Sequence, residues 1–114
     1  MDPLNLLSEN ELLILATIHG IKKRVKGIPA SDIYDAVQKI GKDFSTTVFH
    51  TLLARLNTAG FIELRTNRRD PLFGYRVYKK IEDNEFEEML SSNERLRNYY
   101  ETITKALKKS NPVE

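Results

Sequence analysis

The stretch 45–80 constrains the fold of this chain more than any other part of the sequence. It opens with a run of helical apolar periodicity that Gly60 closes, in the position where helices commonly end on glycine. Phe61–Arg65 and Tyr75–Lys79 are rich in aromatic and β-branched residues with partial alternation, which favours strands. Thr66–Gly74 joins them and contains Asn, Asp, Pro and Gly, the residues of turns. The order predicts a helix followed by a β-hairpin with a basic loop.

Two more helices are predicted upstream of this stretch. A Ser-x-x-Glu capping box begins at Ser8, and helical apolar spacing then covers Glu9–His19, with Gly20 as the expected terminal glycine. A second helix is predicted over Ala30–Ile40, and Ile28 is a candidate for a short third strand. The predicted fold class is therefore mainly α with a small β-sheet, α+β.

The helix that begins after Ser45 has two unlike sides. Successive residues 100° apart place the apolar ones together: Val48, Phe49, Leu52, Leu53, Leu56 and Ala59. The opposite side carries Thr46, Thr47, His50, Thr51, Ala54, Asn57 and Thr58, and it has no acidic residue. Small polar side chains without negative charge can approach base edges in a major groove. The alternative interpretation is an ordinary solvated surface.

Positive charge is concentrated in the middle of the chain, which suggests that this segment binds a polyanion. The formal net charge is +2, but residues 20–80 carry 13 Lys and Arg against 5 Asp and Glu. Thr46, Thr47, His50 and Thr51 are expected at base edges, and the helix N-terminus at Ser45 is expected to favour a phosphate. Arg55 is expected at backbone phosphates, and Arg68 and Arg69 at a minor groove or its phosphates. The secondary phosphate candidates are Arg65, Arg76, Lys79 and Lys80.

Composition excludes several functional classes. The absence of Cys excludes disulfides and thiolate sites, and two histidines, His19 and His50, do not make a metal site alone. No paired carboxylates or activated nucleophile indicate an enzyme, and no motif indicates a cofactor. The N-terminus lacks a basic n-region, and no apolar run approaches the length of a membrane helix. We therefore expect a cytoplasmic protein with no membrane partner.

The segment after the hairpin changes character and predicts a separate unit, so the chain divides into 8–81 and 82–110. A single helix is expected from Asp83 or Asn84 to about Lys109. Its apolar seam has heptad spacing: Phe86, Met89, Asn93, Leu96, Tyr100, Ile103 and Leu107. Asn93 falls at heptad position a, where an Asn is a known way to set the register of a coiled coil. The seam therefore predicts a homodimer with parallel or antiparallel helices. The alternative is a helix that folds back over its own domain.

The stretch Val48–Ile62 resembles the aromatic-x-x-Leu-x-x-Leu-x-x-x-Gly-Leu-Ile pattern of PadR-type winged helix-turn-helix regulators, with Phe49 where that family usually has Tyr. MarR-like and archaeal winged-helix proteins are similar. The Glu-Leu-Leu-Ile-Leu start at Glu11 also fits, whereas Lys79-Lys80-Ile81 replaces the usual Thr-x-x-Gly. The resemblance implies a homodimer joined by C-terminal helices on pseudo-palindromic double-stranded DNA. Some members of that family bind a small aromatic effector, so the resemblance also implies one. No group of residues in this sequence indicates an effector site.

The function expected from these features is that of a dimeric, sequence-specific transcriptional regulator, in the first place a repressor. Two recognition helices of a dimer would lie about 34 Å apart. One alternative is an architectural or plasmid-segregation protein that spreads along DNA. Another is a winged-helix module that binds a protein, against which the acid-free helix face argues.

Overall fold

The computed structural model describes residues 3–21, 27–66, 68–69 and 73–110. Most of the segment between the first two predicted helices, at 22–26, lies outside the described residues. Positions 67 and 70–72 of the hairpin loop also lie outside them.

The described residues form a mainly helical chain with one small antiparallel sheet. A 3-10 turn at Pro3–Leu6 precedes the elements α1 (Glu9–Gly20), β1 (Ile28–Pro29), α2 (Ala30–Lys39), α3 (Thr46–Thr58), β2 (Ile62–Thr66), β3 (Tyr75–Lys79), α4 (Asp83–Ser92) and α5 (Glu94–Ser110). The strand order is β1-β3-β2, and Ile28 pairs with Val77, so the predicted third strand is confirmed. The predicted fold class is confirmed at this level, as a mainly α chain with a small sheet.

Helix α1 is the central element of the core, because every residue from Glu11 to Gly20 is buried. Ser8 caps it by accepting the Glu11 N–H at 3.3 Å, and the Ser8 hydroxyl donates to Glu11 Oε1 at 2.9 Å. Helix α1 ends at Gly20, the predicted terminal glycine, but Gly20 is itself helical and Ile21 follows as the C-cap. A Cβ on Gly20 would lie 3.3 Å from Ile103 Cγ2. The glycine therefore allows α5 to approach α1 closely.

Helix α3 begins and ends as its sequence predicts. Ser45 is the N-cap, and Gly60 has a φ of +88°, which lets the chain reverse direction directly into β2. The Phe61 N–H donates to the Leu56 carbonyl at 3.1 Å, the bond that closes a Schellman motif. Phe49, like Leu56, is fully buried. These bonds fix the angle between α3 and the hairpin.

Two residues on the predicted apolar side of α3 are not in the core. Val48 is 44% exposed, and Ala59 is exposed. Val48 stands about 100° from Phe49 around the helix, at the edge of the apolar side, so burying Phe49 leaves it at the surface. Hydropathy alone therefore overestimates the width of the buried side.

The prediction of one continuous C-terminal helix is wrong. The chain leaves the helical conformation at Asn93, which has φ −131° and ψ 106° and separates α4 from α5. The Asn93 side chain caps α5, because its Oδ1 accepts the Leu96 N–H at 2.9 Å. Asn competes with helical backbone in this way more readily than apolar residues do, so the residue assigned to heptad register is a helix boundary.

The apolar seam of this region packs against the chain's own helices. Leu96 and Ile103 are fully buried, Asn93 and Phe86 are buried, and Met89, Tyr100 and Leu107 are half-buried. Helix α5 packs along α1 and also touches α2, and the Phe86 ring stacks on His19 of α1 with centroids 3.8 Å apart. The fold-back alternative therefore describes the arrangement within one chain, while pairing between two chains stays a prediction.

A polar contact joins the start of α1 to α5. Arg95 Nη1 donates to Glu9 Oε1 at 2.6 Å, and the Tyr99 hydroxyl donates to Glu9 Oε2. The hydrogen bonds from Tyr99 and then from Arg95 hold the pKa of the Glu9 carboxyl below its ordinary value. The same contact raises the pKa of the Tyr99 hydroxyl, because the Glu9 carboxylate accepts a hydrogen bond from its protonated form.

We expect Tyr99→Phe to raise the pKa of Glu9 toward its ordinary value, because it removes the largest cause of the shift. In the wild type the folded pKa is the lower one, so the contact stabilises the fold above the unfolded pKa of Glu9 and is lost as pH falls through the folded pKa. An NMR titration of the Glu9 carboxyl carbon measures the change. Tyr100→Phe is the matched control, and an equal shift in that variant would contradict the assignment to Tyr99.

Candidate nucleic-acid interface

The polar face of α3, defined as Thr46, Thr47, His50 and Thr51, is exposed along the first half of the helix. Asn57 and Thr58 extend the exposed polar surface toward the C-terminal end. The first turn of α3 contains no acid. The polar face therefore offers hydroxyl and imidazole groups to solvent without a carboxylate beside them.

Ser45 has a structural role in this region. Its Oγ accepts the Val48 N–H at 3.1 Å and so caps α3. Within the polar face, the Thr51 hydroxyl donates to the Thr47 carbonyl at 3.0 Å. The Ser45 bond sets where the helix begins, and both bonds leave the face itself on the surface.

One hydrogen bond connects α3 to the hairpin. His50 Nδ1 lies 2.7 Å from the hydroxyl oxygen of Tyr75, the first residue of β3. The cross-strand partner of Tyr75 is Thr66, the last residue of β2, so the bond reaches the loop end of the hairpin. The polar face of α3 is therefore joined through Tyr75 to the end of the hairpin from which the loop leaves.

Four aromatic rings, which we call the aromatic cluster, support this junction: Tyr34, Phe49, Phe73 and Tyr75. Phe49 of α3 lies 5.1 Å from the rings of both Tyr34 and Phe73, and the Phe73 and Tyr75 centroids are 6.1 Å apart. The Tyr34 hydroxyl donates to the Phe44 carbonyl at 2.7 Å just before α3. Helices α2 and α3 and the hairpin are thus packed together at the base of the candidate interface.

The structure places the two arginines of the loop on its surface. Arg68 and Arg69 are both exposed and follow Thr66 by two and three positions. Because Thr66 pairs with Tyr75, which bonds to His50, these cations lie on the loop that adjoins the polar face of α3. That α3 and the loop act together on one ligand stays a prediction.

Arg55 lies at the edge of the polar face, where it and Thr51 line an open groove beside the start of α1. Its Nη1 is 3.6 Å from Oε1 of Glu11, whose side chain is buried, while the Arg55 side chain is 65% exposed. The guanidinium therefore forms an ion pair within the chain and joins α3 to α1. It is not part of the junction between His50 and Tyr75.

Two of the secondary phosphate candidates are occupied within the hairpin and its neighbours. The Arg65 guanidinium bonds to Glu63, which raises the pKa of Arg65, and it lies 4.4 Å from the centre of the Tyr78 ring. Arg76 Nη1 donates to the Gly27 carbonyl at 2.9 Å and ties β3 to the segment before β1. Lys79 and Lys80 are exposed at the other end of β3.

The structure adds two residues that the sequence prediction missed. Tyr75 was assigned only to a strand, since no local pattern shows that its hydroxyl reaches a residue 25 positions away. Val48 was assigned to the core from its hydropathy, yet its exposed methyl groups lie between Thr47 and Phe49 in α3. An apolar side chain there can contact a thymine methyl group in a major groove.

No family model, curated protein or solved structure matches this chain. Within the residues that the structure describes, no helix combines the length and hydropathy needed to cross a bilayer. The same residues contain no group of three His, Asp or Glu side chains arranged to hold a metal ion.

Proposed function

We propose that this chain is a winged helix-turn-helix protein that binds double-stranded DNA in a sequence-specific way and regulates transcription. The observation that carries the proposal is the junction of His50 and Tyr75 at 2.7 Å. It joins an acid-free, exposed helix face to a hairpin loop bearing Arg68 and Arg69. In this proposal α2 and α3 are the helix-turn-helix, and the β2–β3 hairpin is the wing.

The two parts of this surface have different roles in recognition. The polar face of α3 enters the major groove, where hydroxyl and imidazole groups meet base edges. Arg68 and Arg69 meet phosphates or the minor groove alongside, which positions the protein and carries little sequence information. Arg55 lies 3.6 Å from Glu11 with its side chain 65% exposed, and in this proposal it meets a backbone phosphate at the edge of the surface.

The homodimer remains a prediction, and the structure changes which surface would form it. Leu96 and Ile103 are fully buried within the chain, so they do not offer a coiled-coil seam while α5 stays on α1. A dimer of this fold would use the exposed side of α4 and α5 or another surface. The symmetry of the bound DNA sequence would show most directly whether the protein binds as a dimer.

The experiment that tests the proposal is a titration against a random short-duplex library at about 50 and 200 mM salt, with sequencing of the bound fraction. Enrichment of one sequence supports a specific regulator, and a pseudo-palindrome supports a dimer. Tight, salt-sensitive binding without enrichment contradicts specificity and supports the architectural alternative. Absence of binding at low salt refutes both and leaves a protein-binding module.

A further inference from the structure

The contact between His50 and Tyr75 determines what His50 presents to a ligand. Neutral imidazole has one donor and one acceptor nitrogen, and the hydrogen bond at one nitrogen sets the role of the other. Nδ1 is engaged by the Tyr75 hydroxyl at 2.7 Å, and His50 is exposed. Nε2 is therefore the ring nitrogen through which His50 can meet a base.

Acceptor strength indicates which group donates. A Tyr hydroxyl can donate or accept, and the lone pair of a neutral imidazole nitrogen is a stronger acceptor than a phenol oxygen. The 2.7 Å contact allows either direction by its length, and acceptor strength favours the Tyr75 O–H as donor and Nδ1 of His50 as acceptor. The proton of neutral His50 is then on Nε2.

The position of the Tyr75 hydroxyl is set by packing on both sides. Its ring centroid is 6.1 Å from Phe73, which in turn packs on Phe49 in the buried side of α3. The ring of His50 lies 5.6 Å from that of Tyr75. Because the aromatic cluster supports the phenol, Tyr75 can orient the exposed side chain of His50.

We propose that Tyr75 is a positioning residue that donates to His50 Nδ1 and so makes His50 a hydrogen-bond donor, through Nε2–H, to an acceptor on a base edge. This inference rests on the proposed DNA-binding function and deepens it. Guanine fits best because it presents two adjacent acceptors, N7 and O6, in the major groove, whereas adenine and thymine present one acceptor each and cytosine presents an N4 donor. The DNA site is then expected to carry guanine at the position that His50 reads.

Two measurements test the proposal. The first is nitrogen-15 NMR of the imidazole rings at about pH 8.5, where imidazole is ordinarily neutral. His50→Gln identifies the His50 signals, since His19 is the other histidine. We expect the proton on Nε2 in the wild type and a mixture of tautomers in Tyr75→Phe. A wild-type proton on Nδ1 would overturn the proposal whatever the DNA result.

The second measurement repeats the random-duplex selection with three variants. In Tyr75→Phe the preference for guanine at one position per site is expected to fall about fivefold, the low end of the range for a base contact, because Nε2–H makes a single hydrogen bond. The salt slope should not change, because no phosphate contact is removed. His50→Gln keeps an amide donor and is expected to retain part of the preference without help from Tyr75.

Tyr78→Phe is the matched control, since it removes the same hydroxyl from the same strand while Tyr78 contacts Arg65 instead. Equal base preference in Tyr75→Phe and Tyr78→Phe would overturn the positioning role. If the wild type binds no DNA at low salt, the proposed function fails and this inference fails with it. The tautomer measurement distinguishes the two failures, since it reports on the His50–Tyr75 bond without DNA.

Discussion

Replacing Leu96 with alanine is expected to lower the free energy of unfolding by about 2–5 kcal/mol, the range for a buried Leu→Ala change that leaves a cavity. Leu96 is fully buried in the first turn of α5, and α5 packs along α1. Loss of this side chain weakens the packing of α5 against α1. Urea denaturation followed by circular dichroism measures the change.

Leu6→Ala is the matched control, because it is the same chemical change at a side chain that is 75% exposed. Its expected effect is within about 0.5 kcal/mol. If Leu96 belongs to its own chain's core, Leu96→Ala should lower the unfolding midpoint without changing how that midpoint depends on protein concentration. A concentration-dependent wild-type midpoint that becomes independent in Leu96→Ala would instead support the intermolecular seam.

Replacing Arg68 and Arg69 together with alanine is expected to lower the affinity for every DNA sequence by about 10²-fold, at about 1.5 kcal/mol for each charge-assisted hydrogen bond. Both side chains are exposed on the loop that follows Thr66. The slope of log K against log salt should fall in magnitude by about two, one for each phosphate contact removed. Base preference within the enriched site should change little.

The control for this variant is Lys105→Ala with Lys108→Ala, which removes the same charge from exposed positions of α5. An equal loss of affinity in the two double variants would show that net charge is responsible and that the loop has no special role. A loss confined to particular sequences in the loop variant would contradict the division of roles between the loop and α3.

Local patterns were sufficient to predict most of the elements. Three signals act within a few residues and are therefore visible in the sequence. They are the cap at Ser45, the terminal glycine Gly60 and the partial alternation of the two strands that follow. Burial along α1 was predictable for a similar reason, since its residues are apolar around most of the helix. Sequence periodicity also separated the exposed face of α3 from its core face, except at Val48 and Ala59 on the edge of the core face.

The partner of an apolar stripe is not encoded in its spacing. The seam from Phe86 to Leu107 fits a second chain or the chain's own α1 equally well, because heptad spacing states only which side is apolar. Asn93 likewise satisfies two patterns, a polar register position and a helix cap, and only the folded chain shows its Oδ1 on the Leu96 N–H. The close approach of α5 at Gly20 depends on the same packing.

Interactions between near neighbours made the first three helices, the strands, and a cationic loop next to an acid-free helix predictable from the residues alone. Tertiary contacts place α5 on α1, pair Arg55 with Glu11 and bond Tyr75 to His50. Those contacts join residues far apart in the chain, and they form only when the apolar sides of several helices and the hairpin pack together.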